Sequence, residues 1–277
     1  MKKFLTLFVL CLLNMSYFCM KFENHLQQVR DTVDQSHMFD FEPVAYLNCN
    51  NIAAKNNHLW LACLNTSTKA LDFYKQGGLN SSIKGTYPKD CNLGLKTNRD
   101  GELFCLTKDK VLYKLAEVDK NSSYTWLELL KEIKMFGIDN NDNLYIVDKE
   151  NKVKSYDGAK LSDDFGEVED PCNQLEIHFQ KKPVFIFISK KELYQLADKK
   201  KSKLAPSISI TDVCIDLKLN IIINGVSGVF MKILDEPDFT KVARAIGSQI
   251  TCGSSRFCTL GFDNYAYCAS YDVSDFN

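Results

Sequence analysis

The feature that most constrains the fold is a unit of about forty residues that occurs six times along the chain. One residue from the apolar strand of each unit can be aligned, and successive members lie 42, 41, 41, 36 and 36 residues apart: Cys63, Cys105, Ile146, Phe187, Ile223 and Thr259. A period of about forty residues with about four short strands per unit is typical of a β-propeller blade. The repeat therefore predicts six blades.

A second strand follows the apolar strand of each unit, and its position repeats with nearly the same spacing. Its aligned positions lie 40, 40, 41, 36 and 37 residues apart, and all are apolar or aromatic: Phe73, Tyr113, Val153, Tyr194, Phe230 and Tyr267. Each unit also has a preceding strand, the first at residues 44–48, and residues 124–129 are a candidate fourth strand. Because a ring of blades buries each apolar face against its neighbour, we predict an all-β, six-bladed β-propeller over residues 42–277. A β-sandwich or stacked barrels are the alternative, since they are also rich in short strands, but sandwiches impose no fixed period.

The chain begins with a basic start and a short apolar run. This is the pattern of a secretory signal and is too short for a membrane span, so we predict a signal peptide over residues 1–19, with an uncleaved anchor as the alternative. Residues 20–41 carry apolar side chains at spacings of three and four, which predicts a short N-terminal helix: Phe22, Leu26, Val29 and Val33.

Three N-glycosylation sequons support secretion, and they begin at Asn65, Asn80 and Asn121 in polar, loop-like stretches. A signal peptide followed by sequons predicts a secreted, extracellular glycoprotein. The net charge of −1 creates no field that would attract nucleic acid or an anionic membrane, so neither is expected as a partner. The one dense basic run, residues 199–203, is predicted to be a solvated loop.

Cysteine usage also indicates an oxidising compartment. Of the 11 cysteines, Cys11 and Cys19 belong to the predicted signal peptide, which leaves nine in the mature chain. Most of the nine are expected to pair, and the odd one is free or bonds another chain. We therefore predict a monomer, with a disulfide-linked dimer as the alternative.

Hairpin positions predict which cysteines pair. Cys49 and Cys63 flank the first turn of unit one, and Cys252 and Cys258 flank the corresponding turn of unit six, with Cys268 as a competing partner for Cys258. Cys91 and Cys172 occupy matching positions before the first strands of units two and four. No Cys-x-x-Cys or His spacing suits a metal, so the cysteines are predicted to form structural disulfides.

The sequence contains no motif that supplies a reaction. None of the four histidines accompanies a nucleophile, metalloprotease or phosphate-loop motif: His25, His37, His58 and His178. The run of Asp and Asn at residues 139–143 lacks the Gly and Glu of a calcium loop and is predicted to be a hairpin turn. No catalytic, cofactor-binding or metal-binding residue is predicted.

Two of the units resemble a known repeat. Residues 94–113 and 137–148 read as an apolar strand, a turn rich in Asp, Asn or Gly, an aromatic-apolar strand and then an apolar-Tyr strand. This order is similar to tectonin-type propeller repeats, and the phrase at residues 144–158 is shared by secreted six-bladed propellers such as insect yellow-type proteins and lactonase-type enzymes. The resemblance implies the six-bladed fold, and no binding residue is transferred from it.

These observations lead to a functional hypothesis. We expect a secreted, non-enzymatic binding protein whose extracellular ligand is a glycan, a small molecule or a protein, in the manner of a salivary, venom or immune effector. The alternative is a calcium-dependent hydrolase of lactonase type with its site at the propeller channel, for which calcium would be the cofactor. A third hypothesis is a structural secreted protein that works through its outer surface.

Overall fold

The computed structural model describes residues 41–45, 48–65, 67, 71–75, 90–119, 123–162, 164–204, 209–244, 247–254 and 256–270. The predicted signal peptide, residues 20–40 of the predicted N-terminal helical segment, and Asn80 and Asn121 lie outside these residues. The described residues form strands and turns, and no helix among them is long and apolar enough to cross a membrane.

The strands form six antiparallel sheets, as the repeat predicts. Blade one contains β2 (Cys49–Lys55), β3 (His58–Leu64) and β4 (Leu71–Lys75). Blade two contains β5 (Gly94–Thr97), β6 (Leu103–Leu106), β7 (Leu112–Asp119) and β8 (Ser123–Leu130). Blade three contains β9 (Met135–Ile138), β10 (Leu144–Val147), β11 (Val153–Tyr156) and β12 (Leu161–Ser162). The candidate fourth strand at residues 124–129 is confirmed, because it lies within β8.

The other three blades follow the same antiparallel order. Blade four contains β13 (Cys172–Phe179), β14 (Pro183–Ser189), β15 (Glu192–Ala197) and β16 (Lys200–Lys203). Blade five contains β17 (Ile210–Ile215), β18 (Ile221–Gly225), β19 (Gly228–Lys232) and β20 (Thr240–Ala243). Blade six contains β21 (Gly247–Cys252), β22 (Arg256–Gly261) and β23 (Ala266–Ser270), together with β1 (Glu42–Ala45). The six-bladed, mostly four-stranded propeller is confirmed.

The apolar core is divided among the junctions between blades. The buried residues form six clusters, and each cluster joins the facing sides of two neighbouring blades. The cluster that joins blade one to blade six includes Leu59 and Leu260, so the ring is closed. Strands such as β6 and β10 are buried at every position, because a blade is covered on both faces. This explains why their sequences are continuously apolar instead of alternating.

The ring is closed by the N-terminal strand. Residues 44–48 were predicted to be the first strand of blade one, and this assignment is wrong. β1 pairs instead with β23 as the outer strand of blade six, with Glu42 opposite Cys268 and Ala45 opposite Ala266. The edge of β23 would otherwise be left without a strand partner, and a strand from the other end of the chain removes that exposed edge. The first strand of blade one is β2.

The basic run at residues 199–203 is also different from its prediction. It was predicted to be a solvated loop, but Lys200–Lys203 is strand β16, the outer strand of blade four, with all four residues exposed. β16 pairs antiparallel with β15, where Tyr194 faces Lys203 and Ala197 faces Lys200. These lysines are exposed, as predicted. Their pairing with β15 could not be predicted from their composition.

Four disulfides join eight of the nine cysteines of the predicted mature chain: Cys49–Cys63, Cys91–Cys105, Cys214–Cys252 and Cys258–Cys268. Four disulfides are typical of a protein from an oxidising compartment. Cys172 is the free cysteine of the described residues and is half-buried. Burial raises the pKa of its thiol to about 12.

The predicted pairing of Cys252 with Cys258 is wrong. In the register of β21 and β22, Cys252 faces Phe257 and Cys258 faces Thr251. Cys252 and Cys258 are therefore one position out of step, and side chains one position apart point to opposite faces of a sheet. Cys258 bonds Cys268, the competing partner, whereas Cys252 bonds Cys214 of blade five.

Candidate functional site

The inner strands of the six blades surround a central cavity. Strands β2, β5, β9, β13, β17 and β21 line it, and its volume is about 220 Å³. Pockets that hold drug-sized ligands measure roughly 300–1,000 Å³, so this cavity has room for a small ligand only.

Four of the six inner strands carry a β-bulge near their N-terminal ends. The register of each strand against its neighbour skips one residue, and the skipped residues are Asn50, Asn173, Thr211 and Ser248. All four are exposed. A bulge re-aims the local side chain, and bulges are frequent next to functional sites. The four bulges occur at the same end of four parallel inner strands, and three of the skipped residues line one mouth of the cavity: Asn173, Thr211 and Ser248.

The residue after each bulge binds the next blade. The side-chain nitrogens of Asn51, Gln174 and Gln249 donate to backbone carbonyl oxygens of blades two, five and one, at distances of 3.0, 2.7 and 3.1 Å. Asp212 completes the pattern, because its Oδ2 accepts the backbone N–H of Ile250 in blade six at 2.6 Å. These polar side chains therefore hold four junctions of the ring together at the channel mouth.

Charged side chains lie deeper in the channel. Lys96 of blade two forms an ion pair with Glu176 of blade four, and both side chains are largely buried. Lys55 donates to the backbone carbonyl oxygens of Ile138 and Asp139 at 3.0 and 2.8 Å. Burial lowers the pKa of Lys55. The ammonium groups and the carboxylates of the channel thus approximately balance.

Asp212 is the most buried acid of the channel lining, with 7% of its surface exposed. Burial raises the pKa of its carboxyl group to about 7, although the N–H groups of Ile250 and Val213 act in the opposite direction. Near neutral pH, a fraction of this carboxyl is therefore protonated and can donate a hydrogen bond as well as accept one.

One polar atom of the mouth has no hydrogen-bond partner within the described structure. It is Oε1 of Gln249, which is buried while the amide nitrogen of the same side chain is bound to Asn50. A buried acceptor without a partner costs free energy, and such groups are rare in native proteins. A ligand that brings a hydroxyl or N–H donor into the mouth would satisfy it.

The predicted glycosylation site Asn65 and the described histidines, for which no functional role was predicted, do not line this mouth. Asn65 is half-buried at the end of β3, and its Nδ2 donates to Asp72 at 2.9 Å. His58 packs against Gly101, where an added Cβ would lie 2.7 Å from the imidazole Cγ. His178 is half-buried in β13, and burial lowers its pKa. His25 and His37 lie outside the described residues.

The hairpin turn at residues 139–143 is confirmed. Oδ1 of Asp139 accepts the backbone N–H groups of Asn141 and Asn143 at 2.8 and 2.9 Å, and its Oδ2 accepts Nδ2 of Asn143. The carboxylate therefore stabilises its own turn. Within the described ranges, no three side chains of His, Cys, Asp or Glu are placed to hold a metal ion.

The mouth residues were missed because their signal is short. In four units, a polar pair stands directly before a branched apolar residue: Asn50-Asn51-Ile52, Asn173-Gln174-Leu175, Thr211-Asp212-Val213 and Ser248-Gln249-Ile250. Aligning the units on their inner strands would have shown this pattern. The two series of aligned residues that reveal the six units lie on the second and third strands of each blade instead.

Comparisons with known proteins show the fold alone. No protein-family model matches the chain, tectonin-type repeats included, and no curated protein sequence matches it significantly. Among solved structures, the chain is similar to a catalytically inactive virginiamycin B lyase from Staphylococcus aureus with quinupristin, at 5% identity and a TM-score of 0.53, covering 84% of this chain and 99% of that one.

Two further similar structures are both 8% identical to this chain and cover 87% of it. They are U3-55K, with a TM-score of 0.56 and 83% of its chain covered, and the WD40 repeats of RRP9, with a TM-score of 0.58 and 81% covered. At such identities the likeness supports the propeller fold and says nothing about ligand or chemistry.

Proposed function

We propose that the protein is a secreted, non-enzymatic binding protein that holds a small, uncharged, hydroxyl-rich ligand of monosaccharide size at the mouth of its channel. The observation that carries the proposal is the set of bulges, three of which present the exposed amide of Asn173 and the exposed hydroxyls of Thr211 and Ser248 around one opening. Amides and hydroxyls both donate and accept hydrogen bonds, as sugar hydroxyls do.

The charges of the channel support an uncharged ligand. Lys55 and Lys96 contribute two ammonium groups, and the carboxylate of Glu176 is already paired with Lys96. Because Lys96 and Glu176 neutralise each other, a cationic amine would meet the ammonium group of Lys55 with only the largely buried Asp212 to offset it. An uncharged ligand avoids this repulsion and can still donate to Oε1 of Gln249.

The alternative of a calcium-dependent hydrolase has less support from the channel. That hypothesis requires three or four oxygen ligands converging at one end, whereas Glu176 faces an ammonium group and Asp212 accepts two backbone N–H groups. Titration of the protein with calcium, followed by heat of binding, tests this alternative directly.

Isothermal titration calorimetry with a panel of neutral monosaccharides and N-acetylated hexosamines tests the proposal. At least one is expected to bind. The variant Asn173→Ala/Ser248→Ala is expected to lose roughly tenfold in affinity, because it removes about two hydrogen bonds at about 0.5–1.5 kcal/mol each. The matched control Asn141→Ala/Ser202→Ala changes the same residue types at exposed positions away from the mouth. Equal losses in both variants, or no binding of any sugar, would contradict the proposal.

A further inference from the structure

A strongly basic surface lies on blade four, and the channel does not account for it. Residues 181–203 contain eight lysines and two acidic residues, a net charge of +6 in a chain of net charge −1, so the rest of the chain carries −7. All eight lysines are exposed: Lys181, Lys182, Lys190, Lys191, Lys199, Lys200, Lys201 and Lys203. The charge of this protein is therefore segregated, although its total is close to zero.

The fold brings four of these lysines to one end of the blade. The β13–β14 turn carries Lys181 and Lys182, and the β15–β16 turn carries Lys199 and leads into Lys200. Strands in a sheet lie about 4.8 Å apart, so the two turns span about 14 Å of one sheet end. An ion pair of 2.6 Å between Lys182 and Asp198 connects them. We refer to Lys181, Lys182, Lys199 and Lys200 as the turn lysine cluster.

The turn lysine cluster keeps most of its positive charge. Within the described structure, Asp198 is the one carboxylate within 4.0 Å of any of its ammonium groups. Of the other four lysines, Lys190 and Lys201 pair with Glu169 and Lys203 pairs with Glu192, whereas Lys191 has no carboxylate within 4.0 Å in the described structure. Four lysines and one carboxylate leave a net charge of +3 in the turn lysine cluster, and the other four lysines with two carboxylates leave +2.

Protection of the sheet edge explains only part of this charge. Lysines on an outer strand discourage pairing with another chain, and this suits the lysines of β16. It does not explain Lys181, Lys182 and Lys199, which stand in turns. The other described outer strands contain at most one lysine each: β1, β8, β12 and β20. Lys199 also adopts a φ of 61°, a conformation that favours glycine or asparagine.

We propose that the turn lysine cluster binds a sulfated polysaccharide. Such a polymer carries closely spaced anions along an extended chain, which complements several ammonium groups along an edge of about 14 Å. The four disulfides are typical of the oxidising compartments in which such polysaccharides are met.

The surroundings of the cluster favour this partner over a membrane. Insertion into a membrane interface requires exposed apolar side chains beside the basic ones. In the part of the chain that the structure describes, the exposed large apolar residues all lie outside blade four: Leu93, Leu127, Leu161, Val226, Leu234 and Phe262. The cluster therefore offers point charges alone.

Binding of the full chain to immobilised heparin, measured by surface plasmon resonance at about 0.15 M salt, tests the proposal. The test variant is Lys181→Gln/Lys182→Gln/Lys199→Asn/Lys200→Gln, in which asparagine keeps the left-handed turn. Its affinity is expected to fall at least roughly tenfold, because exposed ion pairs contribute about 0.2–1 kcal/mol each. The salt dependence of binding is expected to become shallower as well.

A matched control removes four other exposed lysines: Lys108→Gln/Lys110→Asn/Lys131→Gln/Lys149→Gln. Lys110 also has a positive φ, of 60°, so the control makes the same net charge change with the same turn substitution. Its heparin affinity is expected to change less than about twofold, since these lysines lie on other blades. Melting temperatures of both variants show whether they fold.

Four results would overturn the proposal. They are no retention of the natural chain on heparin, equal losses in the two variants, equal binding of desulfated heparin, and equally tight binding to phosphatidylserine vesicles or to double-stranded DNA. The cluster lies at the opposite end of β13 from the bulge at Asn173. The variant Asn173→Ala/Ser248→Ala should therefore bind heparin normally, which separates this inference from the proposed function.

Discussion

Asp212 links the stability of the ring to the chemistry of its mouth. Its two carboxyl oxygens accept the N–H groups of Val213 and Ile250 at 2.8 and 2.6 Å, which joins blade five to blade six. The same carboxyl lines the cavity. A group that is buried to hold two blades together therefore also becomes a hydrogen-bond donor near neutral pH.

The raised pKa of Asp212 makes stability depend on pH. The folded-state pKa of about 7 lies above the ordinary value of 3.8. Between these values the folded protein retains a proton that the unfolded chain has lost, so the contribution of Asp212 to stability falls as pH rises towards 7. Relative to Asp212→Asn, the free energy of unfolding of the natural protein is expected to fall by up to about 4 kcal/mol between pH 4 and pH 7.

Urea unfolding of both proteins at several pH values measures this difference. The variant Asp109→Asn, at an exposed position, is the control for replacing a carboxyl group by an amide. If the free energy of unfolding of the natural protein instead rises with pH relative to that of Asp212→Asn, the carboxyl of Asp212 is ionised in the folded state and the prediction is wrong.

At the scale of strands, the sequence predicts the strands that recur in every blade and does not predict the bulges, which occur in only some of them. Middle strands such as β10 are apolar throughout, because both faces are buried, and their spacing alone reveals six blades. The bulges at Asn173 and Ser248 add one residue to a strand without changing the length of a unit noticeably. Such an insertion changes the hydrogen-bond register, and the only trace of it in the sequence is a polar pair of two residues, which becomes visible when the inner strands are aligned.

The outer strands were the least predictable elements for a related reason. β1 and β16 are short and largely exposed, so neither has an apolar pattern. β1 is assigned to blade six only through its pairing with β23, at the far end of the chain. The error in the Cys252 pairing has the same origin, since its partner Cys214 lies 38 residues away on another blade.

The disulfide between Cys214 and Cys252 is expected to stabilise the protein more than the one between Cys258 and Cys268. The first closes 38 residues and the second closes 10. In the loop-entropy description this corresponds to about 4 and about 3 kcal/mol. We expect Cys214→Ala/Cys252→Ala to lower the free energy of unfolding by about 1 kcal/mol more than Cys258→Ala/Cys268→Ala.

Guanidinium unfolding of the two double variants measures this difference. The comparison is matched, because all four cysteines are buried and each variant replaces one disulfide by two alanine methyl groups. A larger loss in Cys258→Ala/Cys268→Ala would show that stabilisation comes from local contacts in blade six and not from restricting the unfolded chain.

At the scale of the whole molecule, stability depends on closing the ring. Six apolar clusters occupy six junctions, so opening any junction exposes the apolar faces of two blades. β1 and the residue before it pack on both junctions of blade six. Phe41 packs edge-on against Phe257 in the cluster between blades five and six, with ring centroids 5.2 Å apart, and Val44 packs on the cluster between blades one and six.

The variant Phe41→Ala/Val44→Ala is expected to weaken the whole ring. Both side chains are half-buried, so the free energy of unfolding should fall by roughly 3 kcal/mol in total. The dependence on denaturant should keep its slope, since the same surface is exposed when the ring unfolds as one unit. Urea unfolding followed by far-ultraviolet circular dichroism measures both quantities, and the exposed Glu42→Ala should change stability by less than about 0.5 kcal/mol.

Tryptophan fluorescence provides the second probe, because Trp60 belongs to blade one and Trp126 to blade two. If the ring is cooperative, the fluorescence and circular dichroism transitions of Phe41→Ala/Val44→Ala coincide at a lower urea concentration. Separate transitions would mean that blades beside the closing strand unfold first while the rest of the ring persists. In that case β1 would stabilise only the blades next to it, and the apolar clusters at the junctions would hold the remaining blades together.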